Sequence, residues 1–397
     1  MDEYEHPSCR YEDSATATLA DTHVLEVCPR HEAILSLDQL LPHRFRIHDL
    51  TILVHSSDPD WDEDDHSGEP KLLYHCFFRE PLPNLQRLDF RAAHVEQSRY
   101  VIPIPDSLFA GSLPRLEELK YLGVSGGLTE TAKNLVSCEF GHWSESAGPT
   151  IIASEVLQVL LDNNKTVKSL TISKCAFFVD SDPWIPIATP MKDLKYLEVH
   201  CPLNRFLEKI VNCIHAPQFK SLETVHLSLP NYSIRVVATD GSGHTFKFSQ
   251  SIDGDPSFHP LRHVGADITT LCLDRGMTHH RLNQESALHE LFRSFDAVRV
   301  LEFDGTAPSV DSVLSNVLSI TGVFPGLKVI RVTVSRGDCK GALQLLAVAL
   351  MLRMEEGKPL TAIEPLIAEG EGWLGRELRM EWAEHYEAEG IQNFLSE

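Results

Sequence analysis

A short apolar motif, L-x-x-L-x-L, recurs along most of this chain and limits the folds that it can adopt. Two copies, Leu194–Val199 and Leu222–Leu227, flank the segment Asn204–Ile214. The apolar residues of that segment recur at helical spacing, and Pro217 prevents the helix from continuing. A strand, a helix and a returning strand therefore form one predicted repeat unit.

Moving the same frame along the chain finds eight further copies, which makes ten in all. Their first apolar residues are Ile47, Leu85, Leu119, Leu135, Val167, Leu194, Leu222, Ile268, Val298 and Leu327. The mean spacing is roughly 30 residues, slightly above the usual leucine-rich range of roughly 20–29. The sequence thus predicts an α/β solenoid with a parallel sheet on its concave face and helices on its convex face. Within it we expect full burial of Leu197, Val225, Leu301 and Ile330.

The chain resembles the degenerate leucine-rich-repeat region of F-box-like proteins from mushroom-forming fungi, the basidiomycetes. The phrases that carry the resemblance have the form L-P-x-L-x-x-L or a close variant, and they are Leu40–Leu50, Leu82–Leu88, Leu113–Leu119 and Phe324–Ile330. The resemblance implies an irregular leucine-rich-repeat solenoid. It also implies the substrate-recognition part of an SCF-type ubiquitin-ligase adaptor, with Skp1 as a partner. Residues 1–46 do not contain the Leu-Pro-x-Glu/Asp opening of an F-box.

Charge and cysteine content restrict the partners and the compartment. The 57 acidic and 35 basic residues give a formal net charge of −22, which argues against nucleic acid or an anionic membrane as the main partner. No apolar run approaches the roughly 20 residues of a membrane-spanning helix. The nine cysteines are odd in number and form no C-x-x-C pair. We therefore expect a reducing compartment, the cytoplasm or the nucleus, and no cofactor.

The chain divides into three predicted regions. Residues 1–22 are polar and acidic and are expected to be disordered, residues 23–354 form the solenoid, and residues 355–397 form an acidic C-terminal cap or tail. Apolar runs on either side of Asp240–Gly243 predict a β-hairpin. Apolar spacing also predicts helices at Glu155–Leu161, Ala287–Phe295, Val310–Ile320 and Gly341–Met354. It predicts a last strand at Glu377–Trp382.

Three groups of residues invite a chemical interpretation. Gly123–Gly127 fits G-x-S-x-G, so Ser125 is the candidate nucleophile of an alternative hydrolase function. A strand end within a repeat explains the same glycines more simply. The acidic run with Asp62, Asp64 and His66 lacks the glycine and terminal Glu of a calcium loop. We interpret it, like the pair His279–His280, as a surface loop and expect no metal site.

Protein recognition is the function that the repeat pattern favours. In each repeat strand, alternate side chains point away from the core and would line the concave face. The row mixes aromatic, basic and acidic groups, which suits a protein partner because Tyr and Arg are favoured interface anchors. The candidate partner-binding residues are Arg87, Asp89, Arg91, Tyr196, Glu198, His200, Thr224, His226, Glu302 and Arg331.

Overall fold

One large β-sheet dominates the computed structural model of the chain. The structure describes residues 22–27, 40–55, 76–93, 102–103, 108–125, 132–141, 150–173, 176–178, 189–201, 214–228, 233–251, 267–273, 292–293, 295–303, 324–334, 357 and 362–367. These residues form an α/β structure with a 14-stranded, mostly parallel sheet and few helices.

The strands are short, and ten of the twenty in the described residues coincide with a predicted motif copy. In chain order they are β1 (Thr22–Val27), β2 (Asp49–His55), β3 (Arg87–Ala93), β4 (Ile102–Pro103), β5 (Glu118–Leu122), β6 (Val124–Ser125), β7 (Ser137–Gly141), β8 (Thr150–Ile152), β9 (Ser169–Ser173), β10 (Ala176–Phe178), β11 (Thr189–Pro190), β12 (Tyr196–Cys201), β13 (Ile214–His215), β14 (Thr224–Ser228), β15 (Ser233–Thr239), β16 (Thr245–Ser251), β17 (Thr270–Leu273), β18 (Val300–Phe303), β19 (Val329–Val334) and β20 (Ala362–Ile367). Three small parallel pairs, β4 with β6, β8 with β10 and β11 with β13, lie outside the large sheet.

Helices within the described residues are α1 (Cys76–Arg79) and α2 (Ala153–Asp162), with 3₁₀ turns at Leu41–Arg46, Leu108–Gly111 and Pro217–Ser221. Helix α2 confirms the helix predicted at Glu155–Leu161, and its Val156, Val159 and Leu160 are buried. Within the described segments, no helix combines the length and apolar character needed to cross a membrane. Of the other predicted helices, Val310–Ile320 and Gly341–Met354 lie outside the described residues, as do most of Ala287–Phe295 and most of Asn204–Ile214. The described residues 292–293 are helical, as predicted, whereas Ile214 lies in strand β13 and not in a helix.

The order of strands in the large sheet follows the chain except at one place. The order is β1-β2-β3-β5-β7-β9-β12-β16-β15-β14-β17-β18-β19-β20. Every neighbouring pair is parallel except the two that β15 forms, with β14 and with β16. Strands β15 and β16 are the predicted hairpin around Asp240–Gly243.

The position of this hairpin corrects the expectation drawn from the motif copies Leu194–Val199 and Leu222–Leu227. They were expected to provide a strand and its returning neighbour, but β12 pairs with β16, not with β14. The hairpin fills the gap with two strands, so β12 and β14 run in the same direction without touching. Leu197 and Val225 consequently lie in one sheet, three strand positions apart.

Two columns of apolar side chains run across the sheet and form the core. Their burial confirms the prediction for Leu197, Val225, Leu301 and Ile330, each at most 2% exposed. In register, the first column contains Leu50, Leu88, Leu119, Cys138, Leu170, Leu197, Phe246, Ala238, Val225, Leu271, Leu301 and Ile330. The second contains Ile52, Phe90, Tyr121, Phe140, Ile172, Val199, Phe248, Val236, Leu227 and Leu273, and all are buried. We call these two rows the inward columns.

The third predicted motif copy has the wrong frame. It was placed with Leu119 as its first apolar residue, but the register pairs Leu119 with Leu88 in the first inward column. The motif therefore begins at Leu116, which is fully buried. Leu116 also closes the turn before the strand, because its N–H donates to the carbonyl of Leu113.

A repeated hydrogen-bond pattern joins each repeat to the next. The carbonyl of His48 accepts the N–H groups of both Gln86 and Arg87, and the carbonyl of Thr269 accepts those of Arg299 and Val300. The same double acceptance occurs at the carbonyls of Gln86, Glu117, Val136, Lys168, Glu223 and Arg299. Side-chain amides add further bonds to backbone carbonyls of the preceding repeat, from Asn84 to Phe45, Asn134 to Pro114, Asn163 to Ala132 and Gln218 to Met191.

The two edge strands lie near the boundaries of the predicted regions. Strand β1 begins at Thr22, the last residue of the segment expected to be disordered, and residues 1–21 lie outside the described part. Strand β20 lies inside the predicted C-terminal tail and pairs with β19. Its Pro365 is compatible with an edge strand, since proline cannot donate a ladder hydrogen bond. The strand predicted at Glu377–Trp382 lies outside the described residues.

Three cysteines in the described segments form no disulfide: Cys76, Cys138 and Cys272. Cys138 stands in the first inward column, as expected for a thiol used as a small core residue. Burial raises the pKa of the Cys138 thiol to about 12. Cys138 is therefore a protonated, unreactive side chain at neutral pH.

We expect Gly141→Ala to destabilise the fold by about 1–3 kcal/mol. Gly141 ends β7, and a Cβ there would collide with the carbonyl and the hydroxyl of Ser173 on β9. Urea unfolding of the two proteins measures the difference. Gly241→Ala is the matched control, because a Cβ at this position in the hairpin turn meets no atom within 4 Å. Equal stability of the Gly141 variant and the wild type would contradict the close approach.

Candidate functional site

The ten candidate partner-binding residues lie on one face of the large sheet, opposite the inward columns. We call it the outward face. The register places Arg87, Tyr196 and Thr224 in one row of this face. The next row contains Asp89, Glu198, His226, Glu302 and Arg331. Arg91 and His200 follow on β3 and β12, two residues beyond Asp89 and Glu198.

On the strands before β9, the cations of the outward face are paired with carboxylates. The Nε of Arg87 lies 3.0 Å from a Glu118 carboxylate oxygen. Lys120 Nζ lies 3.2 Å from an oxygen of Glu139. On β3 itself, Arg91 donates to Asp89 at 2.6 Å. These exposed or half-exposed pairs satisfy one another's charge, and such pairs contribute roughly 0–1 kcal/mol each to stability.

The densest polar cluster of the outward face is formed where β12 meets the hairpin. The Tyr196 hydroxyl donates to one oxygen of Glu198, and His200 Nε2 lies 2.8 Å from the other. His200 Nδ1 is hydrogen bonded to the hydroxyl of Ser249 on β16. Lys247, also on β16, places its Nζ 5.0 Å from the centroid of the Tyr196 ring, within the range of a cation–π contact. We call these five residues the central cluster.

Hydrogen bonds within the central cluster determine its charges. The bond from His200 is the main cause that lowers the pKa of Glu198 from 4.5 to about 2, and the Tyr196 hydroxyl adds to it. Glu198 is therefore ionised at neutral pH. Burial, followed by the bond to Glu198, raises the pKa of Tyr196. The bond with Tyr196 is the main cause that raises the pKa of Lys247, so the lysine stays protonated.

The pKa of Glu198 predicts how the stability of the protein depends on pH. Because the folded-state pKa is lower than the unfolded one, ionised Glu198 stabilises the fold above pH 4.5, and this contribution is lost as the pH falls to about 2. The lowered pKa corresponds to a contribution on the order of 2–3 kcal/mol. Solvent screens little of it, because the Glu198 side chain is only 18% exposed. We expect Glu198→Gln to flatten the acid dependence of the unfolding free energy, measured with urea at several pH values. An unchanged slope between pH 4.5 and 2 in this variant would contradict the assignment.

The remaining candidate residues are more dispersed. Arg331 and Glu302 approach to 3.9 Å on neighbouring strands β19 and β18. Thr224 and His226 lie on β14, on the far side of the hairpin from the central cluster. The structure thus brings Tyr196, Glu198 and His200 into one hydrogen-bonded group and leaves the other candidates in separate pairs or as single side chains.

The sequence interpretation missed the residues that the hairpin contributes, Arg235, Lys247 and Ser249. Their position on the outward face was readable, because Lys247 stands between Phe246 and Phe248 in an alternating strand. Their contact with Tyr196 and His200 was not, because it depends on where the hairpin enters the sheet.

The backbone at Ser125 differs from that of a hydrolase nucleophile. Ser125 lies in β6, an extended strand paired with β4, whereas the G-x-S-x-G nucleophile stands on a sharp turn between a strand and a helix. Gly123 has a positive φ of 74° and donates to the carbonyl of Gly141 at 2.7 Å, which accounts for this glycine as a backbone turn. Asp62, Asp64, His66, His279 and His280 lie outside the described residues.

Comparison with known proteins adds no relative to this picture. The sheet face and its central cluster are therefore the features from which function can be inferred. The chain matches no protein-family model, and no curated protein matches it either.

Proposed function

We propose that this chain is a non-catalytic protein-interaction scaffold that binds a protein partner on the outward face of its sheet. The observation that carries the proposal is the central cluster, which combines an aromatic ring, a lysine and an ionised carboxylate on a continuous sheet. Tyr is an anchor residue that protein interfaces favour. Because the hydrogen bonds already hold these side chains in place, binding a partner would cost less side-chain entropy.

The fold that we propose is an irregular leucine-rich-repeat solenoid, with the outward face as its concave surface. The two inward columns and the repeated double acceptance by one carbonyl per repeat support it, since both features translate from repeat to repeat. The inserted hairpin makes the solenoid irregular. The hairpin adds two strands without a crossover. The pattern of one carbonyl accepting two N–H groups of the next repeat is interrupted at the same point, because the Lys195 carbonyl accepts the N–H of Thr245 in the hairpin.

The resemblance to fungal F-box-like proteins extends the proposal to a cellular role. In that role the chain is the substrate-recognition part of an SCF-type ubiquitin-ligase adaptor in the cytoplasm or the nucleus. The buried Cys138 and Cys272, which form no disulfide, are compatible with a reducing compartment. Skp1 is the partner that this role would add.

Site-specific photo-crosslinking tests the binding face. A photoreactive amino acid replaces Thr171, which lies on the outward face of β9 beside the central cluster. In the matched control it replaces Lys192, an exposed residue in the turn before β12. After irradiation in lysate of the cells that make the protein, we expect one protein to be crosslinked from position 171 only, and the purified form of that protein to bind the chain directly.

The outcomes separate the two parts of the proposal. Crosslinks from position 192 alone, or none from position 171, would contradict binding on the outward face. Recovery of Skp1 and a cullin together with the crosslinked partner supports the adaptor role. Recovery of the partner without them rejects the adaptor role and retains the scaffold.

A hydrolase is the second candidate function, on residues other than Ser125. The chain of hydrogen bonds from Ser249 through His200 to Glu198 has the groups that activate a serine nucleophile. It is less favoured because β12 and β16 each have a paired strand on both sides, so their backbone N–H groups are not available as oxyanion donors. Labelling by a fluorophosphonate probe that Ser249→Ala abolishes would establish this function, and absence of labelling would reject it.

A further inference from the structure

Two cations on the hairpin differ from the other cations of the outward face. Arg235 and Lys247 lie on neighbouring antiparallel strands, where Arg235 pairs with Ser249 and Lys247 with Val237. They are diagonal neighbours on one face of the sheet, and the Cα atoms of such neighbours lie roughly 7–8 Å apart. Their charges lie close enough for Arg235 to oppose the rise in the pKa of Lys247.

Neither of these cations forms an ion pair with any described residue, in contrast to Arg87 and Lys120 on the same face. The contrast is notable in a chain with 57 acidic and 35 basic residues. Arg235 is exposed, and the Lys247 ammonium lies against the Tyr196 ring. Within the described part of the chain, the hairpin therefore presents two cations that form no ion pair, beside an aromatic surface and near the Glu198 carboxylate.

The charge of this site selects the chemistry of the group that it can bind. Glu198 is ionised and lies next to Tyr196 and Lys247. Two cations and one carboxylate leave a local charge of about +1, which matches the single negative charge of an Asp or Glu side chain. A phosphate group, with a charge of about −2 at neutral pH, would meet the Glu198 carboxylate at the same site and is less well matched.

We propose that Arg235, Lys247 and Tyr196 anchor an acidic side chain from a protein partner. This inference rests on the proposed function, because it assigns the anchoring chemistry of the same outward face. Arg235 donates hydrogen bonds to the carboxylate, Lys247 supplies a second positive charge held in place by the Tyr196 ring, and the ring packs against the aliphatic part of the partner side chain.

Selection from a displayed library of random 12-residue peptides, with the full-length chain as bait, tests the proposal. We expect the selected peptides to share an Asp or Glu at one position, and binding to fall as salt concentration rises. The variant Arg235→Gln with Lys247→Gln should weaken binding of a selected peptide by about tenfold or more. The matched control, Lys192→Gln with Lys195→Gln, makes the same change in net charge at two exposed lysines that precede β12 and are not among the candidate binding residues.

Each outcome has one meaning. If the two double variants weaken peptide binding equally, net charge alone explains the loss of binding and the anchor is overturned. Selected peptides without an acidic position would overturn the anchor while the scaffold is retained, and recovery of no binding peptide would contradict both. Tighter binding when phosphoserine replaces the acidic residue would overturn the choice of a carboxylate. Circular dichroism and the melting temperature verify that both double variants are folded.

Discussion

Replacing Leu197 by alanine is expected to lower the free energy of unfolding by about 2–5 kcal/mol. Leu197 is 2% exposed and lies in the first inward column between Leu170 and Phe246. Its removal leaves a cavity where the regular repeats meet the inserted hairpin. Neighbouring strands on both sides are fixed by ladder hydrogen bonds, so they can move little to fill the space.

Urea unfolding followed by circular dichroism measures this loss, and a lower midpoint with an unchanged slope would show a change in stability alone. Lys195→Ala is the matched control, since its exposed side chain lies just before β12, and it should change stability by less than about 0.5 kcal/mol. A similarly small effect of Leu197→Ala would mean that Leu197 is not part of a packed core.

Replacing Asn163 by alanine is expected to cost about 3 kcal/mol, although the residue contributes no apolar surface. Asn163 is 1% exposed and follows helix α2. Its side-chain amide donates to the carbonyls of Ala132 and Val159 at 2.6 and 2.9 Å, and its carbonyl oxygen accepts the N–H of Leu135 at 3.0 Å. Alanine would leave these buried groups without partners and disconnect the turn before β7 from α2.

Two further variants separate the hydrogen bonds from other effects. Asn163→Asp preserves the size of the side chain but cannot donate, so it should destabilise the protein at neutral pH about as much as alanine does. Asn164→Ala is the control, because its half-exposed side chain is next in sequence. Thermal unfolding measures all three variants, and a melting temperature of Asn163→Asp close to that of the wild type would contradict the donor role.

The inward columns were predictable from the sequence because they depend on local periodicity. Apolar residues three and then two positions apart determine which side chains a short strand buries, whatever its neighbours are. This was sufficient for Leu197, Val225, Leu301 and Ile330. It also predicted that residues between them, such as Tyr196 and Glu198, lie on the opposite face.

Periodicity failed where two frames fitted equally well. Leu113, Leu116, Leu119 and Leu122 are spaced three apart, so the motif can begin at either Leu116 or Leu119. The signal that decides between them is the turn Leu113–Leu116, which matches the turn Leu82–Leu85 before β3. Strand β20 was missed for a different reason, since Pro365 makes its sequence unlike that of an interior strand.

The sequence by itself determined the α/β class, the apolar repeat, the hairpin and, wherever a single frame fitted, the face on which a strand residue lies, because all four follow from contacts between near neighbours in the chain. Only the tertiary structure decided that the hairpin enters the sheet between β12 and β14. That insertion places Lys247 against Tyr196 and Ser249 against His200. These contacts join residues about fifty positions apart, and the pairing of whole strands, not local spacing, brings them together.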